Sequence, residues 1–260
     1  MRNRGQVTIF IVLAIIILAI IFLFLFVRSQ VYFGPATTEN LMREFPAISS
    51  HIEDCLSTAL TKSAYTLGKQ GGYIELKQET YRRIKGQSIS YLCYNIPNQA
   101  SCLNKMLTKS DMQEELKKAI MPKLTSCLNI KSFEKSGYTL EFGAIPTPII
   151  NIGYDTVTAR LDYPIKIKKG SAQASVTSFS STTDLPLGRL YSASQDVIKA
   201  ESLFGTFDTQ IYSILKSKLT NQLYTIILEQ PYPDKLYVLK ISNVPSEENP
   251  FIFQFLIQGE

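Results

Sequence analysis

Tryptophan is missing from this 260-residue chain, and histidine occurs once, as His51. A single imidazole makes a zinc site a poor fit to the sequence and leaves a Ser–His–carboxylate triad only one residue to use. His51 sits beside Glu53 in a helical pattern, where a solvated helix histidine is its simplest role. The common catalytic and nucleotide signatures are absent as well: there is no G-x-S-x-G, Walker loop, H-E-x-x-H or G-x-G-x-x-G. Asp155, Asp162 and Asp184 fall in or near a strand-rich stretch and could form a carboxylate pair, but strand-edge solubility charges and turn caps explain them as well. No Asn-x-Ser/Thr sequon occurs, so N-glycosylation is not indicated. No catalytic residue, cofactor or metal ligand is expected, and the chain reads as a non-enzyme. A strong excess of one charge is lacking too. After Arg28 there are 24 basic and 22 acidic residues, about +2, which gives no reason to expect a nucleic-acid partner.

Charge, glycine and proline are all absent from Val7 to Val27, and Thr8 is the run's only polar side chain. As a helix the run spans roughly 30 Å, the hydrocarbon thickness of a bilayer. Its Ile, Leu, Phe and Val side chains each favour insertion by about 0.3 to 0.6 kcal/mol near the bilayer centre. The expected anchor is therefore a single transmembrane helix, with the lipid bilayer as its partner through Val7 to Val27. Arg2 and Arg4 precede the run, and all 22 acidic residues follow Arg28. The positive-inside bias places the N-terminus in the cytoplasm and the bulk of the chain outside. A cleaved secretory signal has a shorter core and a small-x-small exit, whereas this run leaves through Phe24, Leu25, Phe26 and Val27. The domain reading is a head and anchor over 1–28, a tether over 29–46 and an extracytoplasmic domain over 47–260, with a possible subdivision near 130.

Four cysteines, Cys55, Cys93, Cys102 and Cys127, all lie past the run, and none has C-x-x-C spacing. An exported location permits disulfides. Three pairings are open; Cys93 with Cys102 as a local staple and Cys55 with Cys127 as a long one are favoured.

The expected fold class is α+β: antiparallel sheet with several amphipathic helices. Ile48, Ile52, Cys55, Leu56, Ala59, Leu60 and Ser63 share one side of a helix that starts after Pro46 and ends at Gly68 or Gly71-Gly72. Tyr73 to Leu76 and Ser88 to Cys93 read as short strands flanking a solvated basic turn (Arg82, Arg83, Lys85). Ser110 can cap a second helix, with Gln113 at the capping-box position and Met112, Leu116, Ile120, Leu124, Cys127 and Leu128 as its apolar side. Pro122 should kink or split it. Phe133 to Gly143 and Asn151 to Ser181 read as strands, a meander at the centre of the domain. Pro146 and Pro148 restrict the apolar segment Ala144 to Ile150 to a loop or an edge packed on the core, with an exposed apolar contact site as the sharper alternative. A helix over Leu187 to Phe204 and another over Phe207 to Leu219, with Ile211, Ile214, Leu215 and Leu219 as its apolar side, precede strands over Leu236 to Ile241 and Phe251 to Ile257. Periodicity does not decide between helix and strand for Leu223 to Leu228.

Four stretches carry two resemblances. Arg4-Gly5-Gln6-Val7-Thr8-Ile9-Phe10 resembles the start of archaeal class III signal peptides, the type IV pilin-like precursors. In those a peptidase cuts before the Gln, which here implies cleavage between Gly5 and Gln6, and the apolar helix becomes a filament core. The family's Glu is replaced by Phe10. Glu53-Asp54-Cys55-Leu56, the later Gly68-Lys69-Gln70-Gly71-Gly72-Tyr73-Ile74, and Ser126-Cys127-Leu128 are similar to segments of uncharacterised membrane-anchored surface proteins of small-genome archaea (DPANN-type). That resemblance implies the Cys55–Cys127 pairing and a β-rich middle, and it implies no activity.

The leading expectation is a cell-surface interaction or structural protein with a protein or envelope partner. A homo-oligomer formed through the transmembrane helix, as in a pilin-like filament, is the narrower version. The competing class is an exported enzyme or solute-binding domain using Asp and Tyr groups in a pocket.

Overall fold

The computed structural model describes residues 16–18, 20–21, 38–95, 102–170, 172–242 and 250–259. Gly5, Gln6 and most of the Val7 to Val27 run lie outside the described residues. Residues 16–18, 20 and 21 of the run are helical with exposed side chains. Among the described residues no helix is long and apolar enough to cross a membrane. The α+β class is what the described residues form.

Helix α1, Thr38–Lys69, is the spine. The apolar face read from its spacing is the buried one: Ile48, Ile52, Cys55, Leu56, Ala59, Leu60 and Ser63 are each at most 3% exposed. The helix does not wait for Pro46, which lies inside it. A proline there forfeits one backbone hydrogen bond, and the buried contacts of Ile48 and Ile52 hold the helix just after it. The helix stops at Lys69 because Gly71 and Gly72 take positive φ and the Gly72 N–H bonds back to the Leu67 carbonyl at 2.8 Å.

Tyr73 to Leu76 is not a strand. It is an irregular crossing into the hairpin of β1, Tyr81–Ile84, and β2, Gln87–Asn95. Arg82 and Arg83 belong to β1, leaving Lys85-Gly86 as the turn. After β3, Cys102–Asn104, comes helix α2, Lys109–Cys127. Its cap is Thr108 rather than Ser110. The Thr108 hydroxyl accepts from the Asp111 N–H, and the Asp111 carboxylate accepts from the Thr108 N–H, both at 3.2 Å. An ionised carboxylate accepts more strongly than the Gln113 amide would. Helix α2 runs through Pro122 as one element, with Met112, Leu116, Ile120 and Leu124 buried on both sides of the proline.

Residues Ile130–Ser136 form a 3-10 helix instead of the expected strand; strand character begins at β4, Thr139–Phe142. Then follow β5, Ile149–Ile152; β6, Val157–Leu161; β7, Ile165–Lys169; β8, Ala172–Val176; and β9, Phe179–Thr183. The expected meander is split. The strands sort into one sheet ordered β4-β7-β8 and another ordered β5-β6-β9. The Pro146–Pro148 segment is the loop leading into β5, an edge strand.

Helix α3, Leu187–Phe204, ends on left-handed Gly205 and is followed by helix α4, Thr209–Thr220. Leu223–Glu229 is strand β10, which resolves the open choice. β11, Lys235–Ser242, and β12, Ile252–Ile257, complete a six-stranded sheet ordered β1-β2-β12-β11-β10 with β3 beside β2. Its β12–β2 pair is parallel, and every other pair is antiparallel. One contiguous core runs from Ile48 to Ile257 on both sides of residue 130.

Helix α4 departs from its expected packing. Ile211, Ile214, Leu215 and Leu219 are all more than half exposed. The inward side is the polar one: Tyr212 donates to Asp196 at 2.6 Å, Lys216 pairs with the same carboxylate at 3.5 Å, and Ser217 accepts from the Tyr224 N–H at 3.0 Å.

Candidate functional site

An open groove of about 640 Å³ lies between the 73–80 crossing, strand β2 and helix α2. Three half-buried tyrosines line it: Tyr73 from the crossing, and Tyr91 and Tyr94 from β2. The rings of Tyr91 and Tyr94 lie 5.5 Å apart at 53°. Each phenol is tied back. Tyr73 donates to the Lys105 carbonyl at 2.6 Å, Tyr91 to the Asp234 carboxylate at 2.6 Å, and Tyr94 to the Glu79 carbonyl at 3.4 Å. All three are pushed above the usual tyrosine range, chiefly by burial. Nearby Glu115 and Asp111 add to the effect at Tyr73, and the Asp234 bond adds to it at Tyr91. They therefore stay protonated donors at neutral pH.

The irregular crossing is held by Glu115 of helix α2. Its carboxylate accepts from the Ile74 N–H at 2.9 Å and the Glu75 N–H at 3.2 Å, and pairs with Lys118 at 3.2 Å. Burial alone would raise the Glu115 pKa; these bonds outweigh it and hold the group below the usual carboxylate range. Glu79 sits at φ 70°, a left-handed conformation uncommon for a side chain of its size, where its carbonyl meets the Tyr94 hydroxyl. Lining charges balance: Glu75, Glu79 and Glu115 against Lys77, Lys105 and Lys118.

Behind the groove, buried Asp234 accepts from Arg82 and Tyr91, each at 2.6 Å, and from the Gly259 N–H at 3.1 Å. Burial would raise its pKa, but the bonds from Tyr91, Arg82 and Gly259 win and lower it. Arg82, read from the sequence as part of a solvated turn, is thus a buttress.

The cysteines form two bridges. Cys55–Cys127 joins helices α1 and α2 with Cα atoms 5.9 Å apart, and Cys93–Cys102 joins β2 to β3 at 5.3 Å. His51 lies against the first bridge, with Nε2 4.0 Å from the Cys55 sulfur and its ring edge on Phe133. The three aspartates are not brought together: Asp155 pairs with Arg189, Asp162 with Arg160, and Asp184 lines a separate, smaller cavity beside Thr61 and Tyr65. Among the described residues no group of three or more His, Cys, Asp or Glu side chains could hold a metal ion. No family model, curated protein or solved structure matches the chain.

The groove was not singled out from the sequence. Its signal was there in part, since four of the fourteen tyrosines fall within residues 73–94, and three of them, Tyr73, Tyr91 and Tyr94, line the groove. Their convergence depends on the crossing being irregular, which alternation does not reveal.

Proposed function

We propose that this is a single-pass, membrane-anchored cell-surface protein. Val7 to Val27 spans the bilayer, the N-terminus is cytoplasmic, and the disulfide-stapled α+β domain contacts another protein or the envelope. It does so without catalysing a reaction. The observation that carries the reading is that every cysteine downstream of the apolar run is paired, a state that persists in oxidising compartments and not in the cytosol. The outward apolar side of helix α4 supports a contact role, because monomeric soluble proteins expose few such rows. Protease added to whole cells tests the topology. Digestion of the large C-terminal portion on intact cells is expected; digestion only after lysis overturns it.

A second reading, a pilin-like subunit cut between Gly5 and Gln6, is supported by the 32-residue helix α1 that follows the run and continues into the core. In that version copies associate through Val7 to Val27. Mass spectrometry of the native N-terminus distinguishes the two: a chain beginning at Gln6 is expected of the pilin version, and an intact Met1–Gly5 removes it.

A further inference from the structure

The groove offers apolar ring faces and free polar rim groups, without an excess of either charge. The phenol hydroxyls of Tyr73, Tyr91 and Tyr94 are already committed to the Lys105 carbonyl, Asp234 and the Glu79 carbonyl. With the donor proton taken, what these residues offer a ligand along the groove is ring surface, fixed at its far end, and a phenol oxygen that can still accept. The rim above them is exposed: Glu75, Lys77, Gln78 and Glu79 carry side chains with no hydrogen bond or ion pair among the described residues. Carboxylates supply acceptors, ammonium groups supply donors, and the glutamine amide supplies both.

A cationic ligand would call for an acidic excess beside the aromatic faces, and an anionic one for clustered cations. Three glutamates against three lysines provide neither. A ligand that matches has C–H faces to lie on tyrosine rings and many neutral groups that both donate and accept. We propose that the Tyr73–Tyr91–Tyr94 groove binds a neutral oligosaccharide, its sugar rings stacked on the tyrosines and its hydroxyls bonded to the Glu75–Glu79 rim. The volume lies within the range of small-ligand sites. The walls are pre-organised: Glu115 clamps the crossing through two N–H groups, and the Lys77–Thr80 turn is closed by the Thr80 N–H and hydroxyl, both on the Lys77 carbonyl at 3.0 and 2.7 Å. Little ordering remains to be done on binding. The groove is built wholly from residues after the apolar run, so this inference does not depend on the membrane topology.

The test uses the full chain in an amine-oxide detergent, whose headgroup carries no sugar. Maltotriose, cellotriose and tri-N-acetylchitotriose are the probes, with trilysine and citrate as charged controls, read by saturation-transfer NMR and titration calorimetry. At least one trisaccharide is expected to bind, with transfer to its ring C–H protons. Tyr94→Ala is expected to weaken it at least tenfold and Tyr94→Phe less than threefold. The double variant Glu75→Ala/Lys77→Ala changes only exposed side chains and is expected to weaken binding at least threefold; it decides the matter if Tyr94→Ala does not fold. No binding by any of the three sugars, binding of trilysine or citrate alone, or sugar binding unchanged in the variants overturns the proposal. Any of these results leaves the protease and N-terminal experiments untouched.

Discussion

At the scale of single residues, the side chain with most at stake is Asp234. It is 3% exposed and receives three donors, one of them the guanidinium of Arg82. Removing a buried acceptor leaves its donors without a partner, although Arg82 is exposed enough to regain water. Asp234→Ala is expected to lower stability by about 2–4 kcal/mol in urea unfolding. The same residue sets a pH dependence. The folded pKa values of Asp234, Glu115 and Asp155 are all depressed. The stability they add is complete above the unfolded values, about 3.9 for Asp and 4.3 for Glu, and is lost as pH falls through the lower folded values. The urea midpoint is therefore expected to fall below about pH 4, and Asp234→Ala to show a shallower acid decline than the parent chain.

Among elements, helices α1 and α4 make opposite demands. Leu60 is fully buried in α1, whereas Leu219 on α4 is 81% exposed. Leu60→Ala should cost about 2–5 kcal/mol, and Leu219→Ser no more than about 0.5 kcal/mol, compared by urea midpoints on the full chain. Both residues lie in helical apolar patterns of similar appearance. Which pattern is buried is set by the neighbours: α4 is seated by Tyr212, Lys216 and Ser217, so its Ile and Leu side points to solvent. For helix α2, Thr108→Ala removes the capping reciprocity with Asp111 and should cost about 1 kcal/mol, while Ser110→Ala should cost almost nothing.

For the molecule as a whole, the two bridges stitch chain segments of very different separation. Cys55–Cys127 closes a separation of 72 residues and Cys93–Cys102 one of 9. On loop-closure entropy the longer bridge is worth about 4–5 kcal/mol and the shorter about 3 kcal/mol. A Cys55→Ser/Cys127→Ser chain is expected to lose more thermal stability than a Cys93→Ser/Cys102→Ser chain; the reverse order in a calorimetric scan would show that native contacts, not chain entropy, dominate. The longer bridge also fixes α2 against the spine, and α2 carries Glu115, so its loss is expected to loosen the groove's crossing as well.

Local chemistry was enough to read the buried face of α1, the bounds of α3 at Leu187 and Phe204, and the loop forced by Pro146 and Pro148. Each follows from helical periodicity, a glycine stop or a missing N–H, all properties of neighbours in sequence. Other features rest on partners far along the chain. The parallel pairing of β12 with β2 brings the C-terminus beside residues 91–93, and Asp234 meets Arg82 across 152 positions. The crossing that lines the groove is held by Glu115, which reaches back 41 residues to the Ile74 N–H. Those long-range contacts form only when the whole core packs, and so the tertiary structure alone decided which tyrosines face one another and which apolar helix face stayed in water.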